Sequence, residues 1–244
     1  MRTISWFSCG AASAVAAKLS PGSVLAYCYV ANEHPDNLRF LKGCEKWIGT
    51  EILVLKSEKY ADCWQVWEER RYLNGPAGAL CTVEMKKKVR QKFSQPDDIH
   101  VFGFTVEEMH RAERFCRNNP EIEARFPLIQ HGLGKGDCYD IIRDAGIALP
   151  AMYKLGYHNA NCVGCVKGGS GYWNKIRRDF PAVFERMAAI EESIGASCMN
   201  GKPLRTLDPN AGTEDELQLD ECGLFCGENS RFAEWAVSQE EVDA

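Results

Sequence analysis

The sequence contains no apolar run that approaches the roughly 20 residues needed to cross a bilayer. Its N-terminal stretch also lacks the charged leader, apolar segment and small-residue cleavage site of a secretory signal. We therefore expect a soluble, cytoplasmic protein without a membrane partner. Basic residues are not in excess either, because the formal net charge is −5. This charge argues against a broadly basic surface for nucleic acid, although a local basic groove stays compatible with it.

Cysteine, by contrast, is plentiful, with 12 residues among 244. Without a secretory signal, a reducing compartment disfavours a disulfide framework and favours metal binding or thiol chemistry. Three of the cysteines, Cys28, Cys44 and Cys116, lie in apolar or helical patterns. In such positions a free cysteine typically serves as a small buried hydrophobic side chain.

Up to about residue 160, short apolar runs alternate with amphipathic stretches, which is the pattern of a parallel sheet flanked by helices. The predicted strands cover residues 3–7, 24–30, 52–55 and 100–104. The predicted helices cover residues 14–19, 36–48, 83–93, 107–117, 137–145, 172–178 and 181–194. The expected fold class is therefore α/β. We expect an α/β domain over residues 1–160 and a helical, cysteine-bearing C-terminal part over residues 161–244, with a mobile tail.

Two pairs of cysteines have the spacing of metal ligands. Cys162 and Cys165 form a Cys-x-x-Cys pair, whose thiolates can bind one metal centre, and Cys222 and Cys226 form a second cluster. A redox-active pair is the alternative for Cys162 and Cys165, but that role is typical of a helix start after a strand. These four cysteines would satisfy a closed zinc site, so zinc and iron–sulfur both stay open.

Segment 8–13, Ser-Cys-Gly-Ala-Ala-Ser, is a turn of small residues between the first predicted strand and the first predicted helix. Small side chains let backbone N–H groups approach a phosphate, and the helix N-terminus adds partial positive charge. Tight packing is the alternative explanation of such a turn. No Gly-Lys-Ser/Thr follows, so the turn is not a Walker loop, and it lacks the spacing of the dinucleotide fingerprint.

Five segments, in order, resemble motifs of the adenine nucleotide alpha hydrolase-like superfamily, and particularly its phosphoadenosine phosphosulfate (PAPS) reductase family. Segment 8–13 resembles the Ser-x-Gly-x-x-Ser pyrophosphate loop (PP-loop), and segment 81–86 resembles Cys-Cys-x-x-Arg-Lys. Segment 103–111 resembles Gly-x-Arg-x-x-Glu-x-x-Arg, and segment 150–165 resembles Pro-Leu-x-x-x-Gly-Tyr-x-Ser-x-Gly-Cys-x-x-Cys. Segment 221–224, Glu-Cys-Gly-Leu, resembles the Glu-Cys-Gly-Leu/Ile-His tail.

This resemblance implies a Rossmann-like sheet of the adenine nucleotide alpha hydrolase type and a sulfonucleotide reductase of sulfur metabolism. The substrate would be an adenine nucleotide, either PAPS or adenylyl sulfate, and a thioredoxin-type partner would supply the reductant. Cys222 would be the catalytic nucleophile. The nucleotide-binding residues would be Ser8, Gly10, Ala11, Ser13, Lys86, Glu108 and Arg111. For Glu108 and Arg111, a plain surface ion pair is the alternative.

The resemblance also favours a 4Fe–4S cluster as cofactor, with zinc as the alternative. Cys81, Cys162 and Cys165 match ligand positions of the family, but Thr82 stands where the second cysteine of the Cys-Cys pair is expected. Cys226 has no family counterpart and is therefore the natural substitute. The expected ligand set is Cys81, Cys162, Cys165 and Cys226.

Two other departures from the motifs weaken the case for ATP cleavage and favour a module without turnover, and the loss of the second cysteine at Thr82 keeps a three-cysteine cluster open. Ala12 stands where ATP pyrophosphatases usually carry Asp, and Phe225 replaces the His that follows the nucleophile motif. The first alternative is a PP-loop ATP pyrophosphatase-type sulfurtransferase that modifies nucleic acid through a three-cysteine cluster with an open iron. The second is a zinc-stabilised nucleotide-binding module without turnover. Under any of these functions, the chain could form a homodimer.

Overall fold

A computed structural model describes residues 1–75, 78–199 and 201–213. The chain divides into two compact units, each described here by itself. The sheet unit comprises Met1–Lys56 and Val89–Ala160, and the helical unit comprises Ser57–Lys88 and the described residues from Asn161 onward. The division expected from the sequence, at residue 160, differs in that it places Ser57–Lys88 in the first domain.

The described strands and helices follow one another along both units. The strands are β1 Thr3–Phe7, β2 Val24–Cys28, β3 Ile52–Leu55, β4 Asn74–Gly75, β5 Gly78–Ala79, β6 Ile99–Val101 and β7 Glu123–Arg125. The α-helices are α1 Ala11–Lys18, α2 Asp36–Ile48, α3 Cys63–Arg70, α4 Leu80–Thr82, α5 Lys88–Phe93, α6 Met109–Asn118, α7 Pro127–Gln130, α8 Lys135–Asp144, α9 Ala151–Lys154, α10 Ser170–Asp179 and α11 Pro181–Ile194. A π-helical turn covers Val83–Lys87, and 3₁₀ turns cover Val106–Glu108 and Leu204–Thr206.

The sheet unit is built on a five-stranded parallel sheet with the strand order β3-β2-β1-β6-β7. In the central strand β1, Ile4 lies opposite Val24 of β2 on one side and His100 of β6 on the other. A strand between two parallel neighbours and two helical layers is apolar on both faces, and the run Ile-Ser-Trp-Phe in β1 is buried throughout. The predicted α/β class with a parallel sheet and flanking helices is confirmed.

Helix α1 presents small side chains, which are buried along almost its whole length. Every residue from Ala11 to Ala17 is buried, and α1 packs against β1 on one side and α8 on the other. Helix α2 ends at Gly49, which takes the left-handed conformation with φ +84°. Glycine adopts that conformation without the steric cost that a Cβ would add, as the sequence predicted for this helix end.

The helical unit consists of α3, α4, α10 and α11, in which α11 contacts both α10 and α3. Two tryptophans of α3, Trp64 and Trp67, make an edge-to-face contact with centroids 5.1 Å apart. The guanidinium of Arg186, in α11, lies 4.7 Å from the centre of the Trp64 ring. Aromatic burial of this kind fixes the orientation of α3 on α11.

Several element boundaries agree with the sequence patterns, and others differ. The strands at 3–7 and 52–55 and the helices at 36–48 and 181–194 have their predicted bounds. Helix α1 begins three residues before the predicted start, and residues 83–87 form a π turn rather than the predicted α-helix. Cys28 and Cys44 are buried as expected, whereas Cys116 is exposed, so the expectation of burial was wrong for Cys116. Among the described residues, no helix is long and apolar enough to cross a membrane.

Gly103, just after β6, makes a close backbone contact with α1. A Cβ at this position would lie 2.7 Å from both the backbone N and the Cα of Ser13. Real Cβ atoms do not come this close to backbone, and neither Ser13 nor the strand end can move aside cheaply. The absence of a side chain at Gly103 therefore sets how closely the loop after β6 approaches α1.

We expect Gly103→Ala to lower the free energy of unfolding by about 1–3 kcal/mol, the usual cost of overpacking. Gly136→Ala is the matched control, because a Cβ there meets nothing within 4 Å and the residue lies in helix α8. Urea unfolding of the two variants beside the parent protein measures the difference. Equal stability of the Gly103→Ala variant and the parent would contradict the close contact.

Candidate functional site

The loop between β1 and α1 is held in place by the hydroxyl of Ser13. This hydroxyl accepts a hydrogen bond from the backbone N–H of Ser8 at 3.0 Å and from the Ser8 hydroxyl at 3.1 Å. It donates to the carbonyl of Gly10 at 2.9 Å. Ser8, Gly10, Ala11 and Ser13, which the sequence predicted to act together, are thus brought into one turn at the carboxyl end of β1.

The first turn of α1 begins at Ala11, after Gly10 at the N-cap position. In the part of the chain that the structure describes, no side chain caps this helix start. The first N–H groups of an α-helix have no partner inside the helix and carry partial positive charge, so they form an anion-binding site when no side chain occupies them. The chemistry of this turn therefore suits a phosphate or sulfate group.

Cys9 gives the loop its unusual path. Its φ is +56°, in the left-handed region that a residue with a Cβ seldom adopts, and its side chain is fully buried. Such strain costs about 1–3 kcal/mol and is found most often at functional loops. The thiol of Cys9 contacts the hydroxyl of Tyr27, which lies in β2, so burial of the thiol in the sheet core accompanies the strained backbone.

A buried acidic group lies next to this loop and was not apparent from the sequence. The hydroxyl of Tyr27 donates a hydrogen bond to the carboxylate of Glu33, and the side-chain amide of Asn37 donates to the same oxygen at 3.1 Å. Burial, together with the nearby charge of Glu33, raises the pKa of Tyr27 well above its usual value. The phenol therefore stays protonated and remains a hydrogen-bond donor.

The loop also occupies the position in the sheet where parallel α/β folds bind ligands. β1 pairs with β2 on one side and with β6 on the other, so the chain direction across the sheet reverses at β1. Ligands of open α/β sheets bind in the crevice at the carboxyl ends of the strands at this switch point. Segment 8–13 follows the carboxyl end of β1, and Gly103 follows that of β6.

Glu108 and Arg111 form an ion pair, as their spacing on one helical face allows. The side chains are only 22% and 11% exposed, respectively, so the pair is not a fully solvated surface pair. The Glu108 carboxylate also accepts a hydrogen bond from the backbone N–H of Thr105 at 3.2 Å, and the Arg111 guanidinium lies 4.9 Å from the centre of the Phe104 ring. These contacts stabilise the start of α6, and the nucleotide contact of both residues stays a prediction.

In the helical unit, three cysteine thiols lie together around Cys63. Cys63 is the first residue of α3, and its thiol contacts the thiols of both Cys81 and Cys162. The preceding residue, Asp62, caps α3 by accepting a hydrogen bond from the backbone N–H of Gln65 at 2.8 Å. Cys63 was not among the metal ligands predicted from the sequence. The sequence feature that could have indicated it is Asp62, because an aspartate at the N-cap position predicts that a helix begins at Cys63.

The thiols of this cluster differ in how readily they ionise. The pKa of Cys81 is lowered by a hydrogen bond from Cys63 and by the charges of Lys167 and Lys86, which together outweigh its burial. Contacts with Cys162 and Cys81, followed by burial, raise the pKa of Cys63. Cys81 is therefore the more readily ionised of these two thiols, and Cys63 donates the hydrogen bond between them.

The Cys162–Cys165 turn is organised by one hydroxyl, that of Tyr172. This hydroxyl accepts hydrogen bonds from the backbone N–H groups of Gly164 at 3.0 Å and Cys165 at 2.9 Å. It donates to the carbonyl of Cys162 at 3.2 Å. Gly164 has a φ of +79°, and a Cβ there would lie 2.6 Å from the Val183 side chain, so only glycine fits this turn.

Lys86, predicted to bind the nucleotide, lies in the π-helical turn and is buried in the described structure. Its charge acts on Cys81 within the helical unit. Two neighbours of Lys86 belong to an ion-pair network, because Glu84 pairs with Arg70 at 3.5 Å and with Lys88 at 3.2 Å. The helical unit therefore concentrates basic side chains beside the thiols.

The predicted tail residues Cys222 and Cys226 lie outside the described residues. Within the described ranges, no group of three or more His, Cys, Asp or Glu side chains is arranged to surround a metal ion. The thiol of Cys63 instead contacts that of Cys81 and that of Cys162.

Comparison of the chain with family models, with curated proteins and with solved structures returns no match. Function is therefore inferred from the residues and their geometry.

We expect Tyr172→Phe to destabilise the helical unit and to loosen the Cys162–Cys165 turn. The change leaves the buried N–H groups of Gly164 and Cys165 without an acceptor, at a cost of about 1–3 kcal/mol. Tyr60→Phe is the matched control, because Tyr60 is buried and its hydroxyl has no hydrogen-bond partner among the described residues. Thermal unfolding and the alkylation rates of Cys162 and Cys165 measure the effect. Equal behaviour of the two variants would contradict the bridging role of Tyr172.

Proposed function

We propose that this chain is a sulfonucleotide reductase-like enzyme of the PAPS reductase family, with an adenine nucleotide alpha hydrolase type of sheet. The observation that carries the proposal is the Ser13-centred turn at the carboxyl end of β1, with an uncapped helix start after it. Its position at the switch point of a parallel sheet supports nucleotide binding there. The ordered motifs, which extend from residue 8 to residue 224, support the reductase class.

In this proposal, the nucleotide's phosphate or sulfate end binds the 8–13 loop. The backbone N–H groups of Gly10, Ala11 and Ser13 would donate to the anionic oxygens, and the Ser8 hydroxyl would add a donor. The small side chains of the loop keep the backbone accessible to the ligand. Lys86, Glu108 and Arg111 are also proposed to bind the nucleotide, and this assignment rests only on the resemblance of their segments to the family motifs.

The thiolate of Cys222 would attack the sulfonyl sulfur of the bound nucleotide. A sulfur–sulfur bond forms, the bond from sulfur to the bridging phosphate oxygen breaks, and the nucleotide leaves with the electron pair. The product is a thiosulfonate on Cys222. A thioredoxin-type dithiol then attacks the Cys222 sulfur, and sulfite leaves with the electrons of the sulfur–sulfur bond. The second thiol of the donor releases Cys222, and the donor ends as a disulfide.

In this proposal, the thiols of the helical unit would hold a metal centre, preferably a 4Fe–4S cluster, for which cysteine thiolates are the usual ligands. Cys81 and Cys162 lie in one group of contacts, Cys165 shares the Tyr172-held turn with Cys162, and the basic Lys86 and Lys167 suit the negative charge of metal-bound thiolates. When bound, the cluster supplies charge and fixes the thiolate-bearing segments to one another. Zinc would be satisfied by the same ligands.

The two alternative functions have less support. ATP cleavage by a PP-loop sulfurtransferase usually uses an Asp where this chain has Ala12, and an open iron requires that no fourth thiol be at hand, whereas Cys63 contacts two of the ligands. A zinc-stabilised module without turnover would give no role to segment 221–224, which resembles the nucleophile motif of the reductases.

Product analysis separates the three functions. The anaerobically purified protein is incubated with PAPS or adenylyl sulfate plus a dithiol donor, and separately with ATP. Sulfite release that requires Cys222, with Cys222→Ser inactive and Cys116→Ser active as the exposed-cysteine control, supports the reductase. Pyrophosphate release from ATP indicates the sulfurtransferase class, and nucleotide binding without either product indicates the module.

We expect Ser13→Ala to weaken binding of the sulfonucleotide by about tenfold, equivalent to about 1.4 kcal/mol, because the hydroxyl that shapes the loop is lost. Gly10→Val should weaken binding at least as much by placing a side chain over the helix start. Ser5→Ala is the matched control, because Ser5 is a buried residue of β1 whose hydroxyl has no partner among the described residues. Calorimetric titration with adenylyl sulfate measures the affinities. Unchanged affinity in both loop variants would contradict nucleotide binding by the loop and would indicate that its small residues serve packing alone.

A further inference from the structure

A fourth thiol is already present beside the predicted metal ligands, without any contribution from the tail. Thr82 leaves the Cys-Cys motif one cysteine short, and the sequence suggested Cys226 as the substitute. In the structure, Cys63 contacts both Cys81 and Cys162. Cys63 can therefore supply the thiol that the motif lacks at Thr82.

The local backbone fixes each of these cysteines on a separate element of the helical unit. Cys63 opens α3, which is capped by Asp62, and Cys81 lies in α4, which packs against α3. Cys162 and Cys165 flank the turn that the Tyr172 hydroxyl holds. Three separate chain segments therefore bring the thiols of Cys63, Cys81 and Cys162 into contact, and Cys165 lies at the other end of the same turn as Cys162.

The remaining described cysteine of this region, Cys198, is held away from such a role. Its thiol donates a hydrogen bond to the Glu191 carboxylate at 3.1 Å, and burial together with the charge of Glu191 raises its pKa. The same carboxylate accepts from the backbone N–H groups of Cys198 and Leu204, so it is fixed in place. A thiol bonded to a buried carboxylate keeps its proton and is a poor metal ligand.

A buried donor at the cluster points independently to a charged sulfur. Trp67 is 1% exposed, and its indole N–H has no hydrogen-bond acceptor of normal geometry among the described residues. The group beside it is the sulfur of Cys81. An indole N–H buried without an oxygen or nitrogen acceptor is costly, and a metal-bound thiolate sulfur is the acceptor that would satisfy it.

We infer that Cys63, and not Cys226, is the fourth thiolate of a metal site formed with Cys81, Cys162 and Cys165, and that Trp67 donates a hydrogen bond to its Cys81 sulfur. This inference rests on the metal centre of the proposed function but not on its nucleotide chemistry. It leaves Cys226 outside the ligand set. It also gives the basic side chains of Lys86 and Lys167 a role, because four thiolates bring net negative charge into a partly buried site.

The test compares metal loading of single-cysteine variants in the full chain. Wild type, Cys63→Ser, Cys226→Ser and Cys44→Ser are reconstituted anaerobically with ferrous iron and sulfide, and separately titrated with Co²⁺. Cys44 is the matched control, because it is a buried thiol in α2 of the sheet unit. Bound iron and sulfide per chain, and the thiolate-to-cobalt charge-transfer absorption, are measured together with circular dichroism.

We expect Cys63→Ser to lower bound iron and Co²⁺ affinity about tenfold or more, at least the effect of losing an outer-shell partner. Cys226→Ser and Cys44→Ser should bind as the wild type does. Trp67→Phe should keep the metal and shift the reduction potential of the cluster, a change that a purely structural tryptophan would not cause. Loss of metal in Cys226→Ser with full loading of Cys63→Ser would overturn the inference.

A second measurement keeps the test decisive if Cys63→Ser does not fold. Alkylation of the wild-type protein, read by mass spectrometry before and after chelation, should show that Cys63, Cys81, Cys162 and Cys165 gain protection together on metal loading. Protection of Cys226 instead of Cys63 overturns the inference. A wild type that binds neither iron–sulfide nor Co²⁺ overturns the metal centre as well. Cys63-dependent metal without sulfite release supports the ligand set and rejects only the reductase chemistry.

Discussion

The close packing of α1 on the parallel sheet is the constraint on which the nucleotide loop depends. An unbroken run of small buried residues in α1 packs against β1, and only Ser8, Cys9 and Gly10 join the strand to the helix. In so short a turn, Cys9 takes a left-handed backbone and the Ser13 hydroxyl spans the gap to Ser8. Gly103 allows the neighbouring strand end to come equally close.

The helical unit is organised by a different force, the need to compensate buried polar groups. A single hydroxyl, that of Tyr172, satisfies both N–H groups and a carbonyl of the Cys162–Cys165 turn, and one carboxylate, that of Glu191, satisfies the loop after α11. Buried donors and acceptors without partners cost more than a made hydrogen bond gains. Each of these residues therefore determines the path of several residues around it, and together they hold the thiol-bearing segments in fixed positions.

Much of the sheet unit could be predicted from the sequence, and much of the thiol group could not. Strand β1 is predicted by its apolar run and the end of helix α2 by a glycine, and both signals are local in the sequence. Helix α3 gives little periodic signal, and its orientation depends on the contact of Trp64 with Arg186 of the distant helix α11. Cys63 belongs to helix α3, so its contact with Cys81 depends on tertiary packing and has no local signal in the sequence. Strand β7, Glu-Ala-Arg, forms through backbone pairing with β6 and carries no alternating pattern to reveal it.

The π-helical turn at Val83–Lys87 sets the angular relation between Cys81 and the lysines that follow it. A π turn contains one residue more than the corresponding α-helical turn, and one residue of an α-helix corresponds to a rotation of about 100° about the helix axis. Regular α-helical winding would therefore turn Lys87 and Lys88 away from the direction they now take relative to Cys81. The chain thus encodes, as a single extra residue, the direction in which the lysines of this helix lie relative to the Cys81 sulfur.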